Sequence, residues 1–289
     1  MTQPARPYRS VLYIPGSKER ALEKATSLPT DAIIFDLEDA VAPEEKSAAR
    51  TLLTQVLAER GYGRRARIVR INSFDTPWGL ADAEAMAMAM ARGARIDALL
   101  IPKVSRAADL DPVAEAVPGV TLWAMMETCA GMLNAAEIAG HPRLGGMVMG
   151  TNDLAKELNS RSSPDRLAMQ AGLGLCLLAA RAHGLVIIDG VYNAFRDEEG
   201  LRAECEQGRD MGFDGKTLIH PAQLAIANAA FAPSKVEIDL ARRQIAAFNE
   251  VAAQGGGVAV VDGRIVENLH VVTAQATLAK VQAIAALAE

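Results

Sequence analysis

Two apolar runs of this chain each end on an acid. Residues 120–126 (Val-Thr-Leu-Trp-Ala-Met-Met) lead into Glu127, and residues 146–152 (Gly-Met-Val-Met-Gly-Thr-Asn) lead into Asp153, with one helix-sized segment between them. A carboxylate at the end of a buried run is costly unless something binds it. If the runs are parallel strands joined by a helical crossover, they lie about 4.8 Å apart, and the two side chains can converge on one small hard cation. Mg²⁺ takes such sites, with one or two carboxylates and an octahedron completed by water and substrate oxygens. An earlier run, residues 66–69, ends in Arg70, which places an anion-binding guanidinium on the same rim. The pattern points to metal-assisted chemistry on a carboxylate. The competing reading makes Glu127 and Asp153 helix caps or rim salt-bridge partners and Arg70 an ordinary ion pair.

Other polar groups fall near the same ends. Asp36, Glu38 and Asp39 follow the second apolar run. Acids so close repel unless water, a cation or an arginine intervenes, so Glu38 and Asp39 read either as groups orienting metal waters or Arg70, or as an acidic helix N-terminus stabilised by the macrodipole. Lys103 follows a strand and a proline; balancing the acids suits it better than Schiff-base chemistry. His220 ends the last run, where a structural hydrogen bond competes with proton transfer. Ser10, Ser17 and Cys129 offer no convincing nucleophile, and the absence of a GxSxG elbow excludes the usual α/β-hydrolase route.

These residues need a scaffold that gathers strand ends. Short β-rich runs alternate with alanine-rich stretches from Ser10 to about His220, the signature of a parallel sheet covered by helices. The expected strands are Ser10–Ile14, Ala32–Asp36, Arg67–Ile71, Ala98–Pro102, Thr121–Met126, Gly146–Gly150, Leu185–Asp189 and Gly215–Ile219. Eight such units close into a (β/α)₈ TIM barrel; the rival, an open doubly wound sheet, lacks a GxGxxG after its first strand. The methionines at 86, 88 and 90 read as core or helix surface. Past Pro233 the pattern changes to a helix over 235–254, a triglycine, a hairpin turning at Asp262-Gly263 and a last helix from Asn268. The expected division is a catalytic barrel over 1–232 and a C-terminal extension over 233–289, serving as a lid and in oligomerisation or merely capping the barrel.

With 289 residues, half of them hydrophobic, the chain can bury a large core. A net charge of -5 and a pI near 5.5 exclude a typical duplex nucleic-acid binder while leaving room for a local phosphate site. Three scattered cysteines suit reduced thiols in a cytoplasmic protein. Neither the polar stretch Met1–Arg9 nor any later run reaches the roughly 18 to 20 apolar residues of a membrane span.

The ordered segments Arg9–Gly16 (RSVLYIPG), Phe35–Val41 (FDLEDAV), Val69–Asn72 (VRIN), Ile101–Lys103 (IPK), Met126–Thr128 (MET), Gly150–Leu154 (GTNDL) and Gly215–Pro221 (GKTLIHP) make the chain resemble the citrate lyase β-subunit-like branch of the HpcH/HpaI aldolase superfamily. The resemblance spans essentially the whole chain and is strongest toward the malyl-CoA enzymes of that branch. It implies Mg²⁺, or Mn²⁺ as a substitute, on Glu127 and Asp153, and a substrate carboxylate held by Arg70. It implies coenzyme A contacts from the first βα loop, which here carries Lys18 and Arg20; either residue is equally readable as a solvated helix charge. It implies a homotrimer or hexamer whose lid crosses between subunits. Related lyases carry a lid aspartate as acid/base; the matching stretch here, Gly263-Arg-Ile-Val-Glu267, has a glutamate one methylene longer. The resemblance implies hydrolysis of (3S)-malyl-CoA as the expected reaction; since a displacement of about 1 Å can change a rate about a hundredfold, the longer Glu267 is expected to favour activation of water over C–C cleavage. The alternative is C–C cleavage of malyl-CoA, β-methylmalyl-CoA or citramalyl-CoA. Readings from other classes are a citrate lyase subunit served by an acyl carrier protein and a non-catalytic binding relative.

Overall fold

The computed structural model describes residues 6–161 and 163–288; of the N-terminal stretch, Met1–Ala5 lie outside the described residues. The chain divides into two compact units, one spanning Tyr8–Phe231, the other made of the described residues of Met1–Pro7 and Ala232–Glu289.

The larger unit is a closed parallel barrel. Its strands are β1 (Ser10–Pro15), β2 (Ala32–Asp36), β3 (Ala66–Arg70), β4 (Ala98–Ile101), β5 (Thr121–Met126), β6 (Leu144–Met149), β7 (Val186–Asp189) and β8 (Gly215–Leu218), paired in sequence order with β8 returning to β1. The covering helices are α1 (Glu19–Lys24), α2 (Lys46–Glu59), α3 (Gly79–Ala91), α4 (Asp111–Ala116), α5 (Cys129–Leu133), α6 (Ala135–Ala139), α7 (Thr151–Glu157), α8 (Gln170–Ala182), α9 (Glu198–Met211) and α10 (Leu224–Ala230). Side chains alternate across each strand. One set, including Val11, Ile34, Ile68, Leu100, Trp123 and Val148, fills the barrel, while Leu12, Ile33, Val69 and Leu99 face the helices. The small inner residues Ala32, Ala66 and Ala98 share this interior with the Trp123 indole.

The expected strands are all present, with ends shifted by a residue or two. β6 begins earlier than expected because Leu144 pairs with Leu122 and Gly146 with Trp123, so Gly145 is an extra residue in the ladder. A glycine pair reads as a turn in sequence, yet here it forms a bulge inside a strand. The single helix expected between β5 and β6 is two short ones, broken at Asn134, whose amide donates to the Ser105 carbonyl at 2.8 Å. Met86 is fully buried and Met88 is exposed, a helix face and its reverse.

The smaller unit contains α11 (Lys235–Ala253), the hairpin β9 (Ala259–Val261) and β10 (Arg264–Val266), and α12 (Asn268–Ala288). Asp262 and Gly263 have φ of 52° and 73°, the two left-handed positions of a type I′ turn. Ala259, Val261, Val266 and Val271 form its small core with Leu240, Ile245 and Phe248. Among the described residues no helix is long and apolar enough to cross a membrane.

Candidate active site

Glu127 is the first residue past β5 and is 1% exposed. Its Oε1 accepts the Lys103 backbone N–H at 2.8 Å. Asp153 lies in the first turn of α7 rather than on the strand that precedes it. The Lys103 ammonium joins the two acids, 2.6 Å from Asp153 Oδ1 and 3.6 Å from Glu127 Oε1. Rim salt bridges therefore exist, with Lys103 as their cation, and Lys103 reaches them from a left-handed backbone, φ 56°. Burial raises the Glu127 carboxyl above its ordinary range, with Asp153 adding to the rise and Lys103 opposing it. A Cβ on Gly150 would fall 2.4 Å from Glu127 Cβ and 2.6 Å from its Oε2, so only glycine lets this carboxylate pass.

Arg70 closes β3 and is buried. Its Nε and Nη2 each donate to Asp36 at 2.7 Å, a fork-to-fork pair. Its Nη1 lies 2.7 Å from Glu38 Oε2 and 3.5 Å from Asp39 Oδ2. The Glu38 contact is an ion pair without a directed hydrogen bond, since Oε2 is buried with no hydrogen-bond partner. Burial pushes the Glu38 carboxyl up to about 7 against the pull of Arg70. Asp36 also accepts the backbone N–H groups of Glu38 and Ala40. The acidic cluster is therefore a turn wrapped onto Arg70, not the N-terminus of a helix; α2 begins only at Lys46.

These residues border a cavity of about 290 Å³ whose walls include Arg70, Asp36, Asp39, Glu127 and Asp153. Four further polar residues on its walls escaped the sequence reading: Tyr13, Thr151, Asn152 and Asn193. Tyr13 stacks on Arg70, 5.0 Å from ring centroid to guanidinium, and Asn152 and Asn193 pair through their side-chain amides at 2.7 and 3.3 Å. Tyr13 and Asn152 sit inside segments already singled out; Asn193 lies in an irregular stretch that carries no signal.

The remaining expected residues of the barrel unit are not among these walls. Lys18, 59% exposed, makes a loose ion pair with Glu45 at 3.7 Å, and Arg20 is exposed on α1; neither lines the cavity. His220 uses Nδ1 to accept the Ala222 N–H at 3.2 Å and stacks with Phe195, the structural alternative. Glu267 belongs to the smaller unit, exposed just before α12, where its N–H donates to His270 at 3.0 Å.

A hard divalent cation fits this donor set. Two carboxylates already share one cationic group, Lys103, and Glu127 is 1% exposed, where a charge is costly without a cation beside it. Among the described residues no three His, Cys, Asp or Glu side chains form a ready cage, so the cation would complete its shell with water and substrate oxygens, as Mg²⁺ does.

The family model for HpcH/HpaI aldolase/citrate lyase matches residues 9–221. A (3S)-malyl-CoA thioesterase of Cereibacter sphaeroides (strain KD131) is 74% identical over 286 residues, covering 99% of both chains. An L-malyl-CoA/beta-methylmalyl-CoA lyase of the same species is 32% identical over 315 residues, covering 98% of this chain and 97% of that one. Among solved structures, the CitE protein of Mycobacterium tuberculosis in complex with magnesium, acetoacetate and coenzyme A superposes with a TM-score of 0.79 at 29% identity, covering 96% of this chain and 99% of that one.

Proposed function

The chain belongs to the HpcH/HpaI aldolase/citrate lyase family, and from that membership we infer that it hydrolyses (3S)-malyl-CoA to (S)-malate and coenzyme A. The observation that carries this reading is the 74% identity, end to end, with a (3S)-malyl-CoA thioesterase. The C–C lyase reading has 32% identity behind it.

In this reading Glu127 and Asp153 hold the divalent cation, Mg²⁺ or its substitute Mn²⁺; the magnesium in the CitE relative supports the choice. The bound cation supplies a Lewis acid that orients and polarises substrate oxygens. Arg70, fixed by Asp36 and steadied by Glu38 and Asp39, meets the free carboxylate of the substrate. An incoming carboxylate has Nη1 to engage, where it displaces the looser contact to Asp39, a residue 65% exposed. Glu267 takes a proton from the attacking water. The water oxygen bonds to the thioester carbon, the C–S bond breaks, and the departing thiolate receives a proton. Lys18 and Arg20 serve the phosphates of coenzyme A.

The same proposal includes a cytoplasmic homotrimer or hexamer in which residues 233–289 act as a lid. It is supported by three free cysteines and by the apolar surface that Val260, Ile265 and Leu269 expose at 60% or more. Product analysis tests the reaction. Purified protein with Mg²⁺ and (3S)-malyl-CoA is expected to release free thiol without glyoxylate; glyoxylate and acetyl-CoA would instead establish a lyase.

A further inference from the structure

We propose that the Tyr13 hydroxyl is a catalytic hydrogen-bond donor to the thioester oxygen of the substrate, a role that rests on the hydrolase reading above. Tyr13 is an inward residue of β1, two along from Val11 in the barrel interior. In a closed eight-stranded barrel β1 stands opposite β5, and the Tyr13 hydroxyl reaches across to Met125 Sδ on that strand at 3.6 Å. The group therefore sits over the middle of the barrel mouth, beside the residue two positions before Glu127. Its ring lines the same cavity as Glu127, Asp153 and Arg70.

The hydroxyl has a proton to offer. A thioether is a weak acceptor, so the contact with Met125 leaves the O–H largely uncommitted. Neighbouring donors already have partners: Arg70 Nε and Nη2 bond Asp36, an Asn193 amide N–H bonds Asn152, and the Lys103 ammonium bonds Asp153, while Arg70 Nη1 is the group left for the free carboxylate of the substrate. Stacking against the Arg70 guanidinium fixes the ring. Burial, with Asp36, Glu127 and Glu38 adding to it and Arg70 opposing, raises the phenol above its ordinary range, so the group donates without ionising.

The substrate geometry suits this placement. In a 3-hydroxyacyl thioester the hydroxyl-bearing carbon is one methylene from the thioester carbonyl. Anchoring the acid end at Arg70, and at the cation that Glu127 and Asp153 would hold, leaves that carbonyl over the cavity. When water adds to the carbonyl carbon, the carbonyl electron pair moves onto oxygen, where the Tyr13 O–H stabilises it. The pair returns as the C–S bond breaks, and Tyr13 keeps its proton throughout.

The test is Tyr13→Phe, which retains the ring, its stacking and the fold. Loss of one oxyanion donor typically lowers kcat by about 10² to 10³. The expected result is a kcat for thiol release from (3S)-malyl-CoA reduced by that order, with KM changed less than about threefold. Mg²⁺ affinity by calorimetry and Tm stay at wild-type values. A Tyr13→Phe enzyme whose kcat is within about threefold of wild type overturns the proposal and leaves the hydrolase reading standing. A loss of kcat matched by losses in Mg²⁺ affinity or Tm also overturns it, because Tyr13 is then a packing residue. Wild-type protein that releases no thiol overturns the hydrolase reading and this proposal with it.

Discussion

Replacing Lys103 with Met should weaken the metal-free protein and tighten its grip on metal. The ammonium lies 2.6 Å from Asp153 Oδ1 and 3.6 Å from Glu127 Oε1. Lys103 and Asp153 are 39% and 35% exposed, so screening limits their pair to the range of surface ion pairs, about 0.2–1 kcal/mol. The Glu127 half acts on a carboxylate that is 1% exposed. Charges near 4 Å attract by about 4 kcal/mol at an effective dielectric near 20, and desolvation offsets most of that. A net contribution of about 1–2 kcal/mol follows from these two halves. With a divalent cation at the acids the sign reverses, because ammonium and metal repel. Met keeps the stem and the same left-handed backbone, so conformational strain cancels from the comparison. Lys103→Met is expected to lower the metal-free Tm by roughly 2–4 °C per kcal/mol. Its Mg²⁺ dissociation constant is expected to fall by about 5- to 30-fold. Scanning calorimetry in EDTA and in saturating Mg²⁺, with isothermal titration, reads both. An equal Tm loss in the two conditions, or weaker Mg²⁺ binding, refutes the reasoning.

Gly150→Ala places a methyl 2.4 Å from Glu127 Cβ; the carboxylate must move, and since about 1 Å of misplacement costs about a hundredfold, Mg²⁺ affinity and kcat should fall together. Wild-type Mg²⁺ affinity in this variant would contradict the packing argument. Glu38 holds a proton in the native state up to about 7, which its free form releases at 4.5. The native state thus binds more protons across that window, and metal-free stability should fall as pH rises from 4.5 to about 7. Urea midpoints of wild type and Glu38→Gln check this: the slope should flatten in the variant, and an unchanged slope assigns the effect elsewhere. Glu267→Gln should lower thiol release by about 10² to 10⁴, the usual contribution of a general base, with Mg²⁺ binding intact; full activity removes Glu267 from the mechanism.

The barrel was legible because each strand is a short apolar run ended by helix-forming sequence, and the hairpin because Asp262-Gly263 supplies two left-handed positions. The gathering of Arg70, Glu127, Asp153 and Lys103 followed from closure, which brings strand ends to one face. Pairing within that face was not legible. Asp36 reads in sequence as one of three repelling acids, yet it is the bidentate partner that immobilises Arg70. Which acid wins a guanidinium depends on strand register, and Asp36 stands directly beside Arg70 across β2 and β3. Tyr13 was hidden for a different reason: an aromatic inside a β-run reads as core, and only barrel closure brings its hydroxyl across to Met125 at the mouth. Lys103 was placed on the rim by its proline and strand, but nothing local announces that a non-glycine residue there adopts φ 56°.

Charge balance ties these features together. Asp36, Glu38, Asp39, Glu127 and Asp153 carry five formal negative charges, against two positive on Arg70 and Lys103; five less two leaves an excess of three. An excess of that sign, part of it on the buried Asp36 and Glu127, is lowered either by proton uptake or by cations. The raised Glu38 and Glu127 carboxyls register the first route. The second is the one catalysis needs: a divalent cation leaves a single excess negative charge, so an anionic thioester can enter without meeting an uncompensated acidic wall. Among the acids distant from Glu127 and Asp153, removing the exposed Asp39 should stabilise the metal-free protein while weakening its metal affinity, whereas removing Asp36 strands the buried Arg70 guanidinium and destabilises it.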